Sequence, residues 1–176
     1  MFSAAKYIMN SDPAARSTWE VILTYSGFHA LAYYRVSHWL YRHHRYLLAA
    51  LVAHLGKQMT QVEIHPGAKI GQHVFIDHGT GVVIGETAVV GDYVTILHGV
   101  TLGSRRVVDG KRHPQVHDHV FIGANAMLLG NIEIGSFAKI GAGSVVINDV
   151  LSNTTVVGNP GAQVQQRKFH TVGKNI

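Results

Sequence analysis

The sequence predicts a mainly β fold, a left-handed parallel β-helix over residues 61–164, with a helical segment over 1–60 before it and a flexible, extended tail over 165–176 after it. Three observations carry this expectation. Aliphatic residues recur every sixth position from Val62 onward: Ile64, Ile70 and Ile76, then Ile84, Val90, Ile96 and Leu102, then Val116, Ile122, Leu128, Ile134, Ile140 and Val146. Glycine repeatedly follows that position, as at Gly71, Gly85, Gly91, Gly123, Gly135 and Gly141. A small or β-branched residue stands four places after it, as at Ala68, Val74, Ala88, Ala126, Ala138 and Ser144. Each repeat is one short flat strand plus a turn, so three of them close one coil of a prism whose inward aliphatics stack from coil to coil.

The first sixty residues speak differently. Asp12-Pro13 reads as an N-cap followed by proline at a first helical position. Ser17 with Glu20 reads as a capping box. Gly27 is expected to break the pattern, after which Phe28–Tyr41 carries Phe28, Leu31, Ala32, Val36, Trp39 and Leu40 at helical spacing. A further helix is expected from Arg45 to about Met59, and the aromatic residues concentrated in this segment are expected to pack the helices together.

The six-residue period slips at two places. Extra residues enter around Gly81-Val82-Val83, between Ile76 and Ile84, and a long insertion, GSRRVVDGKRHPQ over 103–115, separates Leu102 from Val116. An insertion cannot stay inside a regular coil, so it must loop outward, and such loops on solenoids are where binding residues sit.

Composition narrows the function. A chain of 176 residues with 47 % apolar and 14 % charged residues is one domain with ample core, not a disordered polyelectrolyte. The longest apolar run, LLAALVAHL, is about half of a membrane span. The N-terminus lacks the layout of a signal peptide, and with 0 cysteines the expectation is a cytoplasmic protein without disulfides. The net charge of +5 is dispersed between Arg35, Arg42 and Arg45 and a second group, Arg105, Arg106, Lys111 and Arg112. That distribution suits a small anionic ligand better than nucleic acid.

Ionisable groups crowd beside the two slips: Glu63 and His65, Asp77-His78, His98, and Lys111-Arg112-His113. His78 and His98 each follow an inward isoleucine by two residues, so they are expected to stack on adjacent coils, about 4.8 Å apart. A carboxylate such as Glu63 near a histidine fixes its tautomer and stabilises its charged form, the arrangement of a general base.

The stretch VEIHPGAKIGQHVFIDHGTGVVIGETAVVGD, with GVTLG, GKRHP, IGAGSVV and VVGNPGA after it and DPAARS and GFHALAYYRVSHWLY before it, resembles the serine O-acetyltransferases. The resemblance spans about Asp12 to Ala162. It implies acetyl transfer from acetyl-CoA to L-serine, the step that opens cysteine biosynthesis, with no metal. It implies His78 as the base with Glu63 as its acidic partner, Asp12 and Asp77 on the amino group of serine, and Arg112 on its carboxylate with His113 beside it. A zwitterion asks for anions at one end and a planar bidentate cation at the other. For acetyl-CoA the resemblance implies an outer groove between subunits near Gly103, Ala124 and Ala142, with Lys139 and Arg105 toward the phosphates. It further implies a homotrimer, leaves pairing into a hexamer open, and suggests L-cysteine as a feedback inhibitor and a sulfhydrylase partner recognised through Asn175-Ile176. The chain departs from the family where Gly103-Ser104-Arg105-Arg106 replaces a usual Gly-Gly-Thr-Gly, and in its shorter helical segment. Three rival readings are an acetyltransferase acting on a sugar, a zinc lyase using His73 and His78 with a neighbouring subunit's histidine, and a scaffold without chemistry.

Overall fold

The computed structural model describes residues 1–159 and 161–164. The segment 165–176, with the expected partner contact at Ile176, lies outside them. The hexapeptide period becomes three parallel sheets. The first stacks β1 (Glu63–Ile64), β4 (Val83–Ile84), β7 (Thr101–Gly103), β10 (Met127–Leu129) and β13 (Val145–Val146). The second stacks β2 (Lys69–Ile70), β5 (Val89–Val90), β8 (Gln115–Val116) and β11 (Glu133–Ile134). The third stacks β3 (Phe75–Ile76), β6 (Thr95–Ile96), β9 (Phe121–Ile122), β12 (Lys139–Ile140) and β14 (Thr155–Gly158), closed by β15 (Gly161–Val164), which turns back antiparallel. The chain visits the sheets in that order, one strand per side.

Register explains both slips. Ile122 pairs with Ile140, eighteen residues on, which is the length of three repeats. Ile76 pairs with Ile96, twenty on, so the extra residues fall in the corner between the third and first sheets. Val90 pairs with Val116, twenty-six on, so the long insertion is expelled between the first and second sheets. The inward residues Ile76, Ile84, Ile96, Leu102, Ile122, Leu128, Ile134 and Ile140 are each no more than 1 % exposed. Each contributes about 1.5–3 kcal/mol by leaving water.

The helices are α1 (Phe2–Ser11), α2 (Thr18–Thr24), α3 (Ser26–Arg42) and α4 (Tyr46–Thr60). Helix α3 covers an otherwise open strand edge on the first coil. The Tyr34 hydroxyl donates to the Ala68 carbonyl at 2.7 Å and accepts from the Ile70 amide at 3.1 Å, and Arg35 donates to the Ile70 and Gly71 carbonyls. Unpaired strand edges are otherwise templates for aggregation. A second core of Ala5, Ile8, Val21, Phe28 and Phe75 ties α1, α2 and α3 to the outer face of β3. No described helix is long and apolar enough to cross a membrane.

The capping box holds in part: the Glu20 amide donates to Ser17 Oγ at 3.1 Å, while the Glu20 carboxylate accepts from the Arg16 amide at 2.8 Å. Asp12 differs from expectation. It is not an N-cap but the extended residue that ends α1, its carboxylate folding onto the Ala14 amide at 2.8 Å. Gly27 does not break a helix either. It lies in the first turn of α3, where a Cβ would stand 2.0 Å from the Ile76 carbonyl oxygen. The glycine lets the helix approach the prism. Histidines at the corner between the second and third sheets are structural: His73, Tyr93, His119 and Phe137 stack in sequence at centroid spacings of 4.8, 4.9 and 4.7 Å. His73 thus stands on a different corner from His78, which removes the geometric basis of the zinc reading within one chain.

Gly27→Ala is expected to force α3 off β3 and lower stability by about 1–3 kcal/mol, the usual cost of overpacking. Denaturant unfolding checks this, and an unchanged midpoint would contradict the close approach.

Candidate active site

The widened corner between β3 and β4 carries the first cluster. His78 sits there in the left-handed region at φ 58°, held by Ser26 Oγ, which donates to its carbonyl at 2.8 Å. Its imidazole is 77 % exposed, and Nε2 lies 3.8 Å from Asp77 Oδ1. The His98 ring is on the next coil, as the spacing predicted, but the two rings meet edge to face at a centroid distance of 6.2 Å rather than stacking. Asp12, Tyr25, Asp77 and His78 line one cavity of about 300 Å³. The Tyr25 hydroxyl donates to Asp12 Oδ2 at 2.6 Å. That bond, with the Ala14 amide, holds the Asp12 carboxyl below its ordinary range and pushes the Tyr25 phenol up to about 12. The cavity therefore presents fixed negative charge, from α1 and β3, beside an open imidazole. It can hold an ammonium group next to a base.

The second cluster lies at the corner between the first and second sheets. Arg112 Nη2 donates to Glu86 Oε2 at 2.5 Å, and the Tyr41 hydroxyl donates to Oε1 of the same carboxylate at 3.3 Å. The Arg112 bond is the main reason the Glu86 carboxyl is held low. His113 is 8 % exposed, and burial followed by the nearby Arg112 charge holds its imidazole below the ordinary histidine value. Gly85 makes room for that ring, since a Cβ there would come within 2.1 Å of it. His65 is also held low, chiefly by burial. A cavity of about 640 Å³ beside this corner is lined by Tyr41, His54, Lys57, Glu63, His65 and Glu86, among others.

Within one chain, then, Asp12, Asp77 and His78 come together, and Arg112 and His113 come together on a different corner. Glu63 departs from expectation. Its carboxylate pairs with Lys57 at 2.6 Å rather than with His78. The last turn of α4 leads through the left-handed Gln61 into β1 and so brings the Lys57 ammonium over Glu63. Ala124 and Ala142 lie below His98 on the same side, joined by the Gly143 amide donating to the Ala124 carbonyl at 2.8 Å. Lys139 is exposed on the outer face of the third sheet. Gly103 and Arg105 belong to the other corner, where a basic cavity of about 250 Å³ is lined by Ser104, Arg105, Arg106, Lys111 and Arg112. Among the described residues no group of three or more histidines and carboxylates is placed to hold a metal ion.

Tyr25, Glu86 and Thr87 belong to these clusters without having been singled out by sequence. Glu86 and Thr87 carried no local signal, since polar residues fill the same two places after the glycine in other repeats, as in Gln72-His73. Tyr25 carried none either, because one tyrosine among the 7 in the chain looks like core.

Folding lowers the Asp12 carboxyl, so its stabilisation is complete above the ordinary aspartate value near pH 3.9 and is lost as pH falls through the folded value. Tyr25→Phe should raise the Asp12 titration toward about 3.9, read by carboxyl carbon NMR. An unmoved titration would show that the phenol bond is not its cause.

Comparison with known proteins places the chain in a family. The family described as bacterial transferase hexapeptide (six repeats) matches residues 113–148. A serine acetyltransferase of Synechococcus elongatus is 56 % identical over 156 residues, covering 89 % of this chain and 64 % of that protein, so the chain spans less than two thirds of that relative. A serine acetyltransferase of Staphylococcus epidermidis is 54 % identical over 171 residues, covering 97 % of this chain and 80 % of that protein. Among solved structures, soybean serine acetyltransferase complexed with serine superposes with a TM-score of 0.87 at 49 % identity, covering 92 % of this chain and 68 % of that one. Serine acetyltransferase in complex with coenzyme A from Brucella abortus superposes with a TM-score of 0.91 at 43 % identity, covering 93 % and 65 %. Identity of this extent runs through the helices that bring Asp12 to His78 as well as through the prism, and on that ground the chain belongs to the serine acetyltransferase family.

Proposed function

We propose that this chain transfers the acetyl group of acetyl-CoA to the hydroxyl of L-serine, giving O-acetylserine and CoA, as the opening step of cysteine biosynthesis. The observation that carries the reading is the open imidazole of His78 in one cavity with two carboxylates, Asp12 and Asp77. The ammonium of serine lies between those carboxylates, which sets its hydroxyl toward His78. His78 takes the hydroxyl proton as the oxygen attacks the thioester carbonyl, and returns it to the sulfur of CoA as the tetrahedral intermediate collapses. Arg112 receives the serine carboxylate, because a planar guanidinium matches it with two parallel hydrogen bonds. In this reading Glu63 is the acidic partner of His78, although within one chain it faces Lys57 and the cavity beside the other corner. Its pair with Lys57 is half exposed, so giving it up costs little. The pantetheine arm of acetyl-CoA runs past Ala124 and Ala142, where side chains are small, toward Lys139. Gly103 and Arg105 serve the same ligand from the other corner.

His78 and Arg112 stand on different corners, so a complete serine site joins His78 of one copy to the partner's Arg112. This supports a trimer with its sites between subunits. L-Cysteine shares the zwitterionic ends of serine and nearly its size, and should compete for the same place.

Release of the CoA thiol from acetyl-CoA with serine, threonine, homoserine and a sugar in parallel tests the reading. Serine should be preferred by a wide margin, and preference for the sugar would overturn it. His78→Ala should lose roughly 10²–10⁴-fold in kcat. Activity near that of the parent would remove His78 from the role of base. Arg112→Lys keeps the charge but loses the fork, so the KM for serine should rise while that for acetyl-CoA changes little. Equal weakening of both would move Arg112 to the acetyl-CoA site.

A further inference from the structure

We propose that Thr87 is a positioning residue, holding His113 as the imidazole with Nδ1 bare and the proton on Nε2, so that His113 meets its ligand only as a hydrogen-bond donor. Thr87 follows Gly85 and Glu86 in the corner between β4 and β5. Its Oγ1 accepts from the Arg112 amide at 2.9 Å and from the His113 amide at 3.1 Å. Those two bonds occupy both acceptor positions of the hydroxyl, so its own proton is directed at the remaining neighbour, His113 Nδ1 at 2.8 Å. The Thr87 amide donates to the same Nδ1 at 3.2 Å. A ring nitrogen that receives donors in this way carries no proton, and the ring proton resides on Nε2.

The other edge of the ring, Cδ2 and Nε2, lies along Gly85, where no side chain covers it. Among the described residues Nε2 has no hydrogen-bond partner, and it is not a sealed, unpaired atom. The ring cannot turn to exchange its nitrogens, because it lies against Gly85 on one side and is pinned by Thr87 on the other. Burial and Arg112 oppose a second proton on it. One hydroxyl thus fixes the backbone beneath Arg112, the backbone of His113 and the proton of its imidazole together. A donor held in this way suits a carboxylate or a developing oxyanion and cannot accept the proton of a serine hydroxyl, which leaves that step to His78. The last point rests on the acetyl-transfer reading; the tautomer of His113 does not.

The test is nitrogen-15 NMR of the ring on the full-length protein, with the His113 signals assigned by their absence from His113→Gln. Wild-type protein near neutral pH should show Nδ1 unprotonated and Nε2 protonated. Thr87→Val should move both resonances toward the averaged positions of a free imidazole and raise the serine KM by about tenfold, the loss of one hydrogen bond. Thr87→Ser, which restores the hydroxyl without the methyl, should recover both. A wild-type ring protonated on Nδ1 overturns the proposal, whether or not Thr87→Val folds. So does Thr87→Ser behaving like Thr87→Val, since the methyl and its packing would then be the cause. If the tautomer result holds while the serine KM of Thr87→Val stays at the wild-type value, the positioning of His113 stands and the placing of serine at this corner fails.

Discussion

One inward aliphatic resting on the next is the constraint from which the rest of the molecule follows. On the first sheet Ile64 lies over Ile84, Leu102, Leu128 and Val146 in unbroken parallel register. A strand displaced by one residue would turn its aliphatic outward and a polar neighbour inward. Every coil must therefore present an apolar residue at the same three heights, and any surplus chain must leave at a corner. The six-residue period, the expelled loop and the flat two-residue strands are consequences of that single rule.

The same rule makes the corners the chemical part of the molecule. Two surplus residues in the first coil open the turn that carries His78, and the long insertion delivers Arg112 and His113 to another edge. Each corner is then furnished from outside the prism. Helix α1 ends in Asp12, α3 supplies Ser26 beneath His78, and Tyr41 at the far end of the same helix reaches Glu86 beside Arg112. One helix buttresses both corners, and its close approach depends on the missing side chain of Gly27. Rigid β-coils fix where the groups are, and the helical segment adds Asp12, Tyr25 and Tyr41 around them.

Much of this was legible in the residues, and the exceptions share a cause. The repeat exposed the prism, its inward residues and both slips, because periodicity is a local signal repeated many times. The placing of His78 and His98 on adjacent coils could be counted out from register alone, though not their edge-to-face geometry. Helix α1 was not legible: it has neither a side-chain cap nor acidic residues in its first turn, and it is held by Ile8 against Phe75, far away in sequence. Asp12 and Gly27 were misread for the same reason, since each has a local meaning that a tertiary partner overrides, Tyr25 for one and Ile76 for the other. The Glu63 ion pair depends on how α4 enters β1, which no motif announces. The separation of His78 from Arg112 was implicit in the repeat arithmetic, because their places in the coil differ by one corner.

That separation is the central claim, and subunit mixing tests it most directly. His78→Ala and Arg112→Ala proteins, each inactive alone, are denatured together, refolded and assayed for acetyl transfer to serine, with native mass spectrometry to show mixed assemblies. Activity should return, because an intact His78 corner of one copy then meets the partner's intact Arg112. Mixed assemblies that form and stay inactive would contradict a site shared between copies.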